Sequence, residues 1–338
     1  MRWIAALLLI CSLGHSAERA VTLACVGDVM LGRDVRRLCA TAGDDYPFAR
    51  VAPLVRQADL AFCNLESPLT GRTLRFPRVN ALVGAPSMAG ALGRAGFDVV
   101  SLANNHAIDA ERAGLLDTMS LLKTQQIAVT GAGPTRAEAE SGVVKTVRGL
   151  RVGFAAFSHF PYTNFGYDPA RATVLMLNEP TLRTVLPSLA KRCDALVVSF
   201  HWGCEGDRAV TPYERHLARL AVNLGATLVV GHHAHVRGPV ERYRNSLIAY
   251  CLGNCVFDTH SNGGNEGYLL TCRLARQKVL SYSLLPTNVV QCQAVPERRT
   301  LTPSPSPTGR GVPEGRGEGA VTQFAAPHLP KGDHNDRP

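Results

Sequence analysis

Apolar positions in this chain come in short runs that stop abruptly. Residues 21–26, 59–63, 98–102, 195–200 and 227–230 are each a continuous or near-continuous apolar stretch of strand length. That pattern predicts strands buried on both faces. Between them, residues 113–123 and 213–224 repeat apolar side chains at three- and four-residue spacing, which predicts amphipathic helices. Thr211-Pro212 reads as an N-cap followed by a first-turn proline. From about residue 238 strand follows strand, over 240–243, 247–251, 267–274 and 279–285, with Asn245 in the first turn. No internal repeat is present. The alternation predicts one α/β domain over residues 18–299.

The two ends differ from this body. A basic start at Arg2 leads into an apolar stretch over 4–13 and then Gly14-His15-Ser16-Ala17. This is the layout of a secretory signal peptide over residues 1–17, cut after Ser16 or Ala17, with an uncleaved anchor as the alternative. Ile10 before Cys11 argues against lipidation, where a small residue is wanted. The expected location is therefore periplasmic or otherwise extracytoplasmic, with membrane association left open. Residues 300–338 open on Thr302-Pro303-Ser304-Pro305 and hold few apolar side chains, so they are expected to be a disordered tail.

The charge balance narrows the partners. Lys plus Arg is 36 against 27 Asp plus Glu, a net charge of +9, yet no five like charges run together. An anionic partner such as a phosphoester or an acidic polymer suits this surface, and nucleic acid does not, because no basic-aromatic interleaving is present. The ten cysteines include no Cys-x-x-Cys pair, which excludes a zinc ribbon or a thioredoxin-like site. Cys25, Cys63 and Cys193 sit in apolar runs as small hydrophobes.

Chemistry gathers where the apolar runs end. Gly27-Asp28, Asn64-Leu65-Glu66, Asn104-Asn105-His106, His201-Trp202-Gly203 and Gly231-His232-His233-Ala234-His235 each follow a strand. Open α/β sheets collect ligands at these carboxyl ends. Asp, Asn, Glu and His together suit zinc, manganese or iron, as one ion or two. A pair of ions about 4 Å apart clamps both oxygens of a phosphoester displacement. Taken singly, each cluster has a plain reading as a loop cap or turn, but five such clusters by chance is the harder account. An extended His233-Ala234-His235 points its imidazoles apart, whereas a bend after Gly231 brings both to one site. His106 is the candidate acid, and Asp109 either orients it or caps the following helix. Trp202 and Glu205 either wall a substrate or, for Trp202, pack in the core. Arg33, Arg36 and Arg37 either grip an anion or lie on a solvated helix face.

The series from Gly27-Asp28-Val29-Met30 to Gly231-His232-His233-Ala234-His235, with Tyr250-Cys251-Leu252-Gly253-Asn254 after it, resembles the CapA-type bacterial capsule synthesis family, associated with poly-γ-glutamate production. The resemblance covers about residues 21–290. That family is similar to calcineurin-like metallophosphoesterases, which implies a four-layer α/β/β/α sandwich. It also implies metal ligation by Asp28, Asn105, His201, His233 and His235, with His106 as acid. Met30 stands where those phosphatases carry an imidazole ligand. Glu66 replaces their bridging carboxylate, or Asn64 sits there uncharged. The resemblance leaves two functions open: a metal-dependent hydrolase of phosphoester or polymer amide bonds, or a non-catalytic polymer-binding factor in a membrane capsule-synthesis complex.

Overall fold

The apolar runs form strands that stack as two sheets. The computed structural model describes residues 19–73, 80–160, 171–259 and 264–297. The expected leader over 1–17 and the tail over 300–338 lie outside the described residues. Along the chain come β1 (Val21–Val29), α1 (Arg33–Ala42), α2 (Ala52–Val55), β2 (Leu60–Leu65), α3 (Met88–Ala95), β3 (Val99–Ser101), α4 (Glu111–Thr124) and β4 (Ala128–Thr130). Then follow β5 (Ala132–Gly133), α5 (Arg136–Ser141), β6 (Val143–Val147), β7 (Leu150–Ser158), β8 (Thr173–Val174), α6 (Glu179–Ala190), β9 (Ala195–Trp202) and α7 (Pro212–Asn223). The last part is all strand: β10 (Leu228–His233), β11 (Val240–Tyr243), β12 (Ser246–Ala249), β13 (Asn254–Val256), β14 (Glu266–Ala275), β15 (Lys278–Val290) and β16 (Gln293–Pro296).

The first sheet has the order β16-β15-β14-β1-β2-β3-β4, with β13 also beside β1, and the second has β11-β12-β10-β9-β7-β6. Strands β1 to β4 run parallel, as do β7, β9 and β10. Leu23, Cys25 and Phe62 of the first sheet face Phe154, Val197 and Val230 of the second in one apolar layer. There the Phe62 and Phe154 rings stack at 5.9 Å. Helices α1, α3 and α4 cover the outer face of the first sheet through Val35, Leu92 and Leu115. Helices α6 and α7 cover the second through Leu186 and Leu217. This is the four-layer α/β/β/α sandwich that the resemblance implied.

Two central elements escaped the pattern. Strand β7 is buried along almost its whole length and enters from β6 through Arg148-Gly149, a two-residue turn with φ of +49° and +74°. Helix α6 is capped by Asn178, whose side chain accepts the Thr181 N–H at 2.9 Å, and holds Pro180 and Pro187, which mask its periodicity. Helix α7 opens as expected: Thr211 Oγ1 accepts the Glu214 N–H at 3.1 Å, and Glu214 Oε2 accepts the Thr211 N–H at 2.7 Å. Among the described residues no helix is long and apolar enough to cross a membrane. All nine described cysteines are free thiols, and all but Cys204 are buried.

One crossing segment locks the sheets together. After β12 in the second sheet the chain passes to β13 in the first. On the way Leu252 donates its N–H to the Gly231 carbonyl at 2.9 Å, and the Gly253 carbonyl accepts the Asp28 N–H at 2.8 Å. A Cβ at Gly27 would run into the Gly253 carbonyl, and one at Gly231 into that of Tyr250. Both glycines therefore precede a polar strand end because backbone approaches there too closely for any side chain.

Candidate metal centre

Strand register lines up the polar ends. Asp28 stands opposite Asn64, and Asn64 opposite Ser101, across β1, β2 and β3. Ser158, His201 and His232 stand in line across β7, β9 and β10. The stacked sheets bring these two rows to the same end of the sandwich, where their side chains meet.

Asp28 is fully buried and held from four sides. Asn64 Nδ2 donates to Oδ1 at 2.8 Å, and the His233 backbone N–H donates to Oδ2 at 3.0 Å. Imidazole nitrogens of His232 and His235 lie 3.1 and 3.4 Å from its oxygens. Burial works against its charge, yet these imidazoles outweigh that and hold the carboxyl well below the usual carboxylate range. Glu66 is also fully buried, but among the described residues neither of its oxygens accepts a hydrogen bond. Burial first, and then the field of Asp28, push its pKa well above the usual range.

His201 presents Nε2 at 2.7 Å from Asn105 Oδ1 and 3.6 Å from Glu66 Oε1. Burial, then the neighbouring His233, lowers its pKa well below the ordinary histidine value. Burial and the charge of His235 bring His233 down to about 4. His235 goes the other way: burial opposes its charging, but the Asp28 hydrogen bond and the fields of Glu66 and Asp28 raise it to about 9. The bend that brings both imidazoles inward lies at the histidines themselves, whose φ values are +89° and +57°. Left-handed backbone at side chains other than glycine costs about 1–2 kcal/mol per residue, strain that is typical of functional sites.

Three sets of ligand atoms lie within 4.8 Å of one another: Asp28, Glu66 and His235; Glu66, His201 and His233; and Glu205, His233 and His235. Glu66 is common to the first two. Buried carboxylate oxygens without donors, in reach of several imidazoles, are the donor set a divalent cation needs. The cluster fits such an ion.

His106 sits at the edge of this cluster. Its Nδ1 is 2.7 Å from Asp109 Oδ2, and its Nε2 is 3.9 Å from Glu66 Oε1. Asp109 also accepts the Leu82 N–H at 2.9 Å, and the cap of α4 is Ala110. Of the two readings of Asp109, the geometry selects the one that orients His106.

Other expectations change. Trp202 does not wall the site: it is 3% exposed, its indole N–H donates to the Tyr250 carbonyl at 3.0 Å, and it packs on Phe200 under α7. Period-two alternation explains this, since His201 faces inward and the next residue must face the helices. Asn64 spends its amide as a brace, with Nδ2 on Asp28 and Oδ1 accepting from Asn104 at 3.1 Å. Arg33 is paired with Asp258 at 2.7 Å beside the Phe257 ring. Arg37 pairs with Asp34 on the exposed face of α1. Met30 is buried in the outer core layer. His232 and two rings were not anticipated. Phe160 lies 4.0 Å from the His233 ring and Phe257 lies 4.7 Å from that of His235. His232 lies in the same motif, but the His-x-His spacing singles out its neighbours His233 and His235. Phe160 follows the unanticipated β7 and carried no signal.

The sequence profile of the family described as bacterial capsule synthesis protein PGA_cap matches residues 22–259, well over half of the chain and every strand end just described. The chain belongs to this family. Among relatives of this PGA_cap protein, the capsule biosynthesis protein CapA of Bacillus anthracis is 29% identical over 296 residues, 85% of this chain and 72% of its own. The PGA biosynthesis protein CapA of Bacillus subtilis is 28% identical, over 81% of this chain and 73% of its own. A solved hypothetical protein of Thermus thermophilus shares the fold with a TM-score of 0.52 at 16% identity, over 79% of this chain and 99% of its own.

Proposed function

We propose that this PGA_cap protein is a metal-dependent hydrolase acting outside the cytoplasm in capsule or poly-γ-glutamate biosynthesis, on a phosphoester or on amide bonds of the polymer. The buried Glu66 carboxylate carries the reading, because among the described residues it has no hydrogen-bond donor and is shared by two sets of candidate ligands. The CapA relatives, named for capsule and PGA biosynthesis, support the process. The apolar leader-like stretch over residues 4–13 supports the location.

Asp28, Glu66, His201, His233 and His235 hold one or two ions of manganese, zinc or iron, with the Asn105 amide oxygen beside His201. A bound divalent ion supplies Lewis-acid polarisation of an anionic oxygen and activation of water. Asn64 braces Asp28 so that its carboxylate keeps one orientation. His106 donates Nδ1–H to Asp109, which turns Nε2 toward the cluster, from where it passes a proton to the leaving group. Phe160 shields the His233 side from water.

A second reading has two observations in its favour. Met30 points into the core where an imidazole ligand would stand and Asn64 is neutral and spent on Asp28, so the site has fewer ligands than a two-ion phosphatase centre, which suits a polymer-binding factor. Metal content of the full chain, measured by elemental mass spectrometry, separates the two. One or two ions per chain, lost in Glu66→Gln, with turnover of phosphoesters or poly-γ-glutamate, supports the hydrolase. No ion after reconstitution with manganese, zinc and iron overturns it.

A further inference from the structure

Glu205 stands apart from the other ligand candidates. It is exposed, and among the described residues it makes no hydrogen bond or ion pair, yet its carboxylate lies within 4.8 Å of ligand atoms of His233 and His235. A tight turn delivers it. Gly203 and Gly206 have φ of +90° and +80°, and Asp207 donates its N–H to the Cys204 carbonyl at 3.1 Å. The turn is pinned over the histidines by the Gly206 N–H, which donates to the Ala234 carbonyl at 2.8 Å. Ala234 is the residue between the two imidazoles, so this one bond sets the Glu205 carboxylate above the pair. A carboxylate without a partner among the described residues, held at that spot by a built turn, is a ligand in waiting.

Charge gives it a task. Asp28 and Glu66 are the two carboxylates buried in the cluster, and together they offset half the charge of two divalent ions. The remainder is expensive in a buried site unless another anion approaches. Glu205 also comes from the second sheet's side, as His233 and His235 do, so this set needs nothing from the first sheet.

We propose that Glu205 is a metal ligand that, with His233 and His235, secures the more exposed of two ion positions, and that it sets how fully that position is filled. The proposal rests on the metal reading above. The test is equilibrium dialysis of the full chain against manganese or zinc, with bound ion counted by elemental mass spectrometry. The wild type is compared with Glu205→Gln, Glu205→Asp and Glu66→Gln. Glu205 is exposed, so its variants should keep the wild-type thermal midpoint without metal. Expected are two ions in the wild type, and in Glu205→Gln one ion retained with a second bound about tenfold or more weakly. Glu205→Asp should fall between them, because it keeps the charge with a shorter reach. Two ions with unchanged affinity in Glu205→Gln overturn the assignment, and so does a single ion in the wild type that only Glu66→Gln removes. A wild type that binds no ion overturns this proposal together with the metal reading.

Discussion

Candidate oxygen ligands come mainly from the first sheet and candidate nitrogen ligands from the second. The ends of β1, β2 and β3 carry Asp28, Asn64, Glu66, Asn104 and Asn105. The ends of β9 and β10 carry His201, His232, His233 and His235. Each half is electrostatically uneasy alone. Burial and Asp28 drive Glu66 toward its neutral form, and burial with crowding among imidazoles drives His201 and His233 toward theirs. Stacked, the halves stabilise each other, as His235 and Asp28 show with pKa values shifted in opposite directions. The centre is therefore a product of sheet packing, not of either sheet.

The strongest way to break the pairing is Gly231→Ala. The new methyl meets the Tyr250 carbonyl in the crossing segment, where backbone cannot yield. A loss of about 3 kcal/mol is expected in urea unfolding. Next is Asp28→Asn, which leaves packing in place but removes the charge that both halves share. Metal affinity should fall about 100-fold or more in dialysis against manganese or zinc, with the fold retained by circular dichroism.

Protons sharpen the comparison. His235, with its pKa raised to about 9, must lose a proton before it can ligate. Metal affinity should climb about tenfold per pH unit between 7 and 9 and level off above. The metal-free protein should behave oppositely. Protonated His235 stabilises the fold fully below pH 6.5, and this contribution fades as pH rises to 9. A thermal midpoint of the metal-free chain that rises over that interval contradicts the pairing.

The smallest effect belongs to a control far from the centre. Asp194 is 6% exposed and accepts from the Arg151 side chain and backbone at 3.1 and 3.0 Å, which draws its pKa down to about 2. Asp194→Asn should cost about 1 kcal/mol near pH 7 and leave metal content unchanged. The cost should vanish as pH falls from about 4 through 2, because the native charge is lost there.

The strand ends were legible because polar residues interrupt apolar runs sharply, as at Val26-Gly27-Asp28 and Val230-Gly231-His232. Their partners across the sandwich were not. That Glu66 meets His201 and His233 depends on how two sheets stack, which no local spacing encodes. The inward turn of His233 and His235 was hidden because left-handed φ at histidine has no sequence mark. Asp109 could not be told from a helix cap until Ala110 took that place. Core packing was one of the two readings of Trp202, and its alternation with the inward-facing His201 decides for it.

The His233 amide joins the two halves of the centre directly. The His233 N–H points away from its own ladder and donates to Asp28 across the sandwich. Its exchange with deuterated solvent requires the two layers to part at this corner. That single proton is thus a clock for breathing of the sandwich. Chelators should quicken it and added cation slow it, while amides in the middle of β1 keep their pace.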